Sequence, residues 1–140
     1  MKIYFAASIR GGRDDVELYR KIIRQLRKYG TVLTEHVGDK SLSSLGEDGP
    51  SDEYIHDRDM GWIAEADCVV AEVTTPSLGV GYEIRAAVES GKKVLCLYKP
   101  MKGRRLSAMI AGCSKVVIKP YGDFSEIIKA LDECLMTRFF

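Results

Sequence analysis

The sequence is short of the residues that build metal centres and disulfide frameworks. It has four cysteines and two histidines, and none of Cys68, Cys96, Cys113 and Cys134 forms a C-x-x-C pair. His36 and His56 do not complete a zinc pattern with them. Cys68 and Cys96 lie inside apolar runs, so reduced, buried thiols are expected, with neither a metal nor another cofactor. An excess of one charge is also missing: 21 Lys and Arg stand against 20 Asp and Glu, a net +1. That balance argues against a general binder of nucleic acid or of membrane surfaces, and leaves room only for a local anion site. No apolar run approaches the roughly 20 residues that span a bilayer. Met1–Phe5 enters strand-like sequence directly, without the apolar region and cleavage site of a secretory signal. A cytoplasmic protein is expected (also nuclear, in a eukaryote).

What is present suits one globular domain over residues 1–140, with 46% hydrophobic and 29% charged residues. Apolar runs alternate with helical patterns, and no repeat or low-complexity tract interrupts them. Strands are expected over 3–7, 31–34, 68–73, 94–98 and 116–118. Helices are expected over 14–29, from 51 or 52 to about 66, over 78–90 and over 124–135. Gly30 and Gly91 close two of them. Residues 37–50, rich in Gly, Ser and Asp, read as a long loop of the kind that often serves function. Strands with unbroken apolar runs, joined through helices, predict an α/β fold. The expected architecture is a doubly wound, five-stranded parallel sheet of Rossmann or flavodoxin-like type, in the order 2-1-3-4-5, with helices on both faces. Ligands in such sheets bind beyond the carboxyl ends of the strands, beside the switch point between strands one and three.

Two segments fall there. Ser8-Ile9-Arg10-Gly11-Gly12-Arg13 follows the first strand. It reads either as a plain turn with solvated arginines or as an anion site made of helix-start N–H groups, a hydroxyl and an arginine fork; its place in the fold favours the anion. It is neither a Walker A loop nor the dinucleotide glycine fingerprint. Thr74 to Glu83 follows the third strand. Ser77 suits a helix N-cap, and Gly79 and Gly81 weaken the first turn of that helix, which close approach of a ligand would explain. Capping and ligand binding can coexist there.

Three further side chains converge on the same crevice. Asp59 falls in the middle of an apolar stripe made by Ile55, Trp62, Ile63 and Ala66, so its carboxylate is expected to face the sheet or the crevice. It is either a structurally paired buried acid or a functional one. Glu83 lies on the shoulder of its helix's apolar stripe, about one turn from the helix start. Tyr4 alternates with Ile3 and Phe5 in strand one, as core packing or as a hydroxyl that fixes a carboxylate. A carboxylate pair over an anion site is the reading the three support together. His36 closes strand two, within reach of a base or sugar, while His56 reads as a solvated helix residue. Lys99, Lys102, Arg104 and Arg105 read as a solvated basic loop or, next to Ser107, as help in holding an anion.

In combination these segments resemble the 2'-deoxynucleoside 5'-monophosphate N-hydrolases, within the wider nucleoside 2-deoxyribosyltransferase-like group. The resemblance is carried by Ile3-Tyr4-Phe5 with Ser8 to Arg13, Val32 to His36, Ile55-His56 with Asp59, and Val70 to Val73. Its strongest pieces are Pro76 to Glu83 and Leu106-Ser107-Ala108-Met109-Ile110. It implies Glu83 as nucleophile, Asp59 as acid/base partner and Tyr4 as the group that positions Glu83. It implies a 5'-phosphate held by Ser8, Arg10, Gly12 and Ser77, with Gly11 and Gly79 in the same two loops. Ile9, His36 and Met109 would line the nucleoside, and Ser107 would reach the phosphate from the second protomer of a homodimer. Ala6-Ala7 stands where close vertebrate members have Cys-Gly, ahead of the phosphate loop. The implied reaction is hydrolysis of the N-glycosidic bond of a 2'-deoxynucleoside 5'-monophosphate through a covalent glycosyl-Glu83 intermediate. Base exchange by a deoxyribosyltransferase, or a non-catalytic nucleotide sensor, are the alternatives. The preferred base stays open between modified pyrimidine and purine.

Overall fold

A computed structural model describes residues 1–9, 15–34, 37 and 49–137. The chain runs β1 (Lys2–Ala6), α1 (Val16–Leu26), β2 (Thr31–Val32), α2 (Asp52–Glu65), β3 (Cys68–Glu72) and α3 (Leu78–Glu89). It continues through β4 (Lys93–Tyr98), a short α4 (Ala108–Ala111), β5 (Val116–Pro120) and α5 (Phe124–Leu131), which passes into a π-helical turn over Asp132–Met136. The five strands form one sheet in the order β2-β1-β3-β4-β5, with every pairing parallel.

The strand sequences explain this sheet. β3 is central and all five of its residues are buried, as an unbroken apolar run covered on both faces requires. Alternation then sorts side chains to two cores. Ile3, Phe5, Cys68 and Val70 pack with Tyr19, Ile22 and Leu26 of α1 and Ile127 and Leu131 of α5. Tyr4, Ala6, Val69 and Ala71 pack with Ile63 of α2 and Val80, Ile84 and Ala87 of α3. Helices therefore cover both faces, and residues one apart on β1 serve different cores. Pro120 is tolerated because β5 is an edge strand.

Several element ends differ from the sequence expectation, each with a local cause. β2 stops at Val32, because the Thr34 hydroxyl takes over the pairing: it accepts from Phe5 N at 2.8 Å and donates to Phe5 O at 2.6 Å. α1 gives way to a turn at Arg27. The chain passes so close to Met1 at Gly30 that a Cβ there would lie 2.0 Å from the Met1 carbonyl oxygen. Gly91 has φ of 70°, the left-handed conformation that ends α3. α4 has no counterpart in the sequence reading; Ser107 caps it by accepting from Met109 N at 3.3 Å. α5 starts on a reciprocal capping box between Asp123 and Glu126.

Candidate active site

The site grows from three elements on the α2/α3 side of the sheet. Tyr4 projects from β1 into that core and is 2% exposed. Its hydroxyl donates a 2.8 Å hydrogen bond to Glu83 Oε1, which reaches it from the second turn of α3. Ser77 starts that helix by accepting from Val80 N at 3.3 Å. α2 supplies Asp59, and its stripe is as expected: Ile55, Asp59, Trp62, Ile63 and Ala66 are all at least partly buried. Ser51 caps α2 by accepting from Tyr54 N at 3.1 Å.

The three groups lie in one another's electric fields. Burial, then the Glu83 and Asp59 charges, raise the Tyr4 pKa well above that of an ordinary phenol, so Tyr4 remains a donor. Burial lifts Glu83 from 4.5 to about 7; the Tyr4 hydrogen bond pulls it down and the Asp59 charge pushes it up. Burial is the larger cause, and the neighbouring Asp59 charge adds to it. Arg58 balances the charge. It donates from Nε at 2.9 Å to Asp59 Oδ1, with Nη2 also at 2.9 Å from that oxygen.

At the carboxyl end of β1, Ser8 is fully buried. Its Oγ has no hydrogen-bond partner among the described residues, although buried hydroxyls rarely go unpaired. Ile9 packs against the α1/α5-side core. Arg10, Gly11, Gly12 and His36 lie outside the described residues, as does most of the 37–50 segment. At the start of α3 the fold itself does not demand glycine. Among the described residues, a Cβ at Gly81 would meet nothing within 4 Å, and one at Gly79 only Ser77 Oγ at 3.8 Å. Open space on this turn leaves room for a ligand to approach the backbone.

Ser107 and Met109 stand exposed at the start of α4. His56 is exposed but engaged: Nδ1 lies 2.9 Å from Asp57 Oδ1 and Nε2 3.0 Å from Tyr82 Oη. Lys99, Lys102, Arg104 and Arg105 are exposed. All four cysteines are free; Cys113 is half-buried and the others are buried. Among the described residues no group of His, Cys, Asp and Glu could hold a metal ion, and no helix is long and apolar enough to cross a membrane. A cleft of about 340 Å³ between Val88, Lys92, Lys93, Lys115 and Val117 shares no residue with this site.

Two features escaped the sequence reading. One is Arg58, whose signal was its spacing of four residues from both Tyr54 and Trp62. The other is Glu72, the acid that ends an otherwise apolar strand. It is fully buried on the opposite face of β3. Its Oε1 accepts from the Thr74 hydroxyl, from Thr74 N at 3.3 Å and from Tyr121 Oη at 3.0 Å. Burial raises its pKa against the pull of those bonds.

Known proteins resemble this chain in sequence and in fold. Residues 3–118 match the sequence profile of a family described as nucleoside 2-deoxyribosyltransferase. A Tetraodon nigroviridis protein named 5-hydroxymethyl-dUMP N-hydrolase is 59% identical over 113 residues, 80% of each chain. A Rattus norvegicus protein of the same name is 57% identical over 139 residues, covering 99% of this chain and 83% of that one. Among solved structures, a Clostridium botulinum CMP N-glycosidase superimposes with a TM-score of 0.67 at 22% identity, covering 96% of this chain and all of the other.

Proposed function

The chain belongs to the nucleoside 2-deoxyribosyltransferase family and is a hydrolytic N-glycosidase; we propose that it acts on 2'-deoxynucleoside 5'-monophosphates, releasing the base and 2-deoxyribose 5-phosphate. The observation that carries this reading is the buried Tyr4–Glu83 hydrogen bond beside Asp59. Cleavage of an N-glycosidic bond passes through an oxocarbenium-like state, which a close carboxylate stabilises and can capture. Glu83 attacks C1' of the sugar as the C1'–N bond breaks, and Asp59 gives its proton to the departing base. Asp59 then takes a proton from water as that water attacks C1', and Glu83 leaves as a carboxylate. Tyr4 holds Oε1 so that one orientation of Glu83 is kept ready.

The phosphate is placed at Ser8, Arg10, Gly11, Gly12, Ser77 and Gly79. The buried Ser8 hydroxyl, which has no hydrogen-bond partner among the described residues, and the open glycine turn at the start of α3 support this placement. His36, Ile9 and Met109 are assigned to the nucleoside. Ser107 is assigned to the site of a second protomer, giving a homodimer. Leu78, 97% exposed, and Met109, 83% exposed, support a covering copy, since large apolar side chains gain from leaving water. We place the protein in the cytoplasm, where its free cysteines stay reduced.

The relatives' names point to 5-hydroxymethyl-dUMP as the first substrate to offer. Incubation with it, with other deoxynucleoside monophosphates and with the matching nucleosides, followed by chromatography, should show base release from monophosphates. Mass spectrometry of quenched reactions should show a deoxyribosyl-phosphate adduct on Glu83. Equal turnover of nucleoside and monophosphate overturns the phosphate assignment. An adduct on Asp59 reverses the two carboxylates. Nucleotide binding without base release would make the protein a sensor, and exchange with an added free base would make it a transferase.

A further inference from the structure

Arg58 has a geometry that an ordinary surface helix residue does not adopt. Neighbouring residues on a helix point about 100° apart and do not normally pair. Yet Arg58 curls back onto Asp59, with Nε and Nη2 both 2.9 Å from Oδ1. It holds that shape because its guanidinium carbon lies 4.6 Å from the centre of the Trp62 ring and 5.9 Å from that of Tyr54. Stacking of this kind fixes an arginine's plane. Both side chains are largely shielded, at 16% and 17% exposure, so their attraction is only weakly screened. The Arg58 charge reaches further, opposing the rise of Tyr4.

We propose that Arg58 is a positioning residue for Asp59: clamped over Trp62 and Tyr54, it fixes Oδ1 and decides how the proton shared by the two carboxylates divides between Asp59 and Glu83. This rests on the reading of Asp59 as the acid of a base-releasing site. Among the described residues, groups that act on Asp59 or feel its charge include Arg58 on its own helix, Tyr4 on β1 and Glu83 on α3. Of these groups Arg58 is the cation, and it sits on the Asp59 side. In this proposal Arg58 favours a resting proton on Glu83, whose burial already favours its neutral form. Turnover needs the opposite arrangement. One proton moves from the Glu83 carboxyl to Asp59, leaving Glu83 as the anion that attacks C1' and Asp59 as the acid that protonates the base.

The test is a pH titration of carboxyl-¹³C-labelled protein without substrate, with Asp59 assigned through Asp59→Asn, alongside pH–rate profiles on 5-hydroxymethyl-dUMP. Arg58→Met and Arg58→Gln remove the charge, and Arg58→Lys restores it without the planar fork. Removing a cation at this range should raise the Asp59 midpoint by about 1–3 pH units. Both limbs of the rate profile should move to higher pH, and Arg58→Lys should recover part of the shift. An unmoved Asp59 midpoint in whichever charge-removing variant folds overturns the proposal. A midpoint that moves while both limbs stay fixed overturns Arg58's part in turnover. If the wild type releases base from no monophosphate, the functional reading fails, and the substrate-free titration still decides whether Arg58 controls Asp59.

Discussion

Replacing Glu83 by Gln should stabilise the fold at high pH while stopping base release. The carboxyl is carried from 4.5 to about 7, with burial as the largest cause. Because the folded value exceeds the unfolded one, the folded state binds more protons between those two pH values. Glu83 therefore costs stability as pH rises through that window, and the full cost is present above pH 7. At ~1.4 kcal/mol per pH unit, the displacement from 4.5 to about 7 costs about 3 kcal/mol. Water at the exposed edge of Glu83 lowers this, so a gain of ~1–3 kcal/mol is expected for Glu83→Gln at pH 8. The amide keeps the shape and can still accept from Tyr4, so the comparison isolates charge. Below pH 4.5 the carboxyl is neutral in both states, and the difference should fade. Urea unfolding of both proteins at pH 4 and pH 8 measures it. A gain equal at the two pH values, or none at pH 8, would refute the claim that burial of this charge is what perturbs Glu83.

Tyr4→Phe removes a hydrogen bond that holds Glu83 down. The base-side limb of kcat/KM should move to higher pH by ~1–2 units, because a bond to a charged group is worth about 1.5–3 kcal/mol. A profile unchanged in shape would show that Tyr4 only packs. Ser107→Ala should raise KM for the monophosphate several-fold while sedimentation still gives a dimer; a fully active monomer at low concentration would refute the shared site. Thr34→Val keeps the shape of a 1% exposed side chain but strands both Phe5 backbone groups, at a cost of about 2 kcal/mol or more. Denaturant unfolding with no loss of stability would refute the view that this hydroxyl ends β2.

The sheet order was legible because its strands are unbroken apolar runs, and parallel strands joined by helices leave few topologies. The crevice-facing placement of Asp59 and Glu83 was expected for a related reason: Asp59 falls in the middle of a helix's apolar stripe and Glu83 on the shoulder of another, and the structure leaves both only partly exposed. The rest depended on contacts that hydrophobic period does not encode. Thr34 imitates backbone with its side chain, so a strand-like run of four residues pairs conventionally over only two. α4 has four residues, fewer than the periodicity of a helix needs to declare itself. Arg58 pairs with its immediate neighbour, a spacing that no helical rule ranks. The expectations for Arg10, Gly11, Gly12 and His36 fall outside the described residues.

The Glu72 network has a mechanical consequence. Glu72 and Thr74 flank the end of β3, and Tyr121 follows β5. The Thr74 hydroxyl accepts at 2.9 Å from the amide of Lys99, which follows β4. One carboxyl group thus laces together the exit points of three strands, from the face turned away from Glu83. Strand ends beside a crevice would ordinarily be free to splay when a ligand enters or leaves. Here they can open only together, so the crevice floor behaves as a stiff plate, and adjustment to a ligand is left to the helix starts and loops mounted above it.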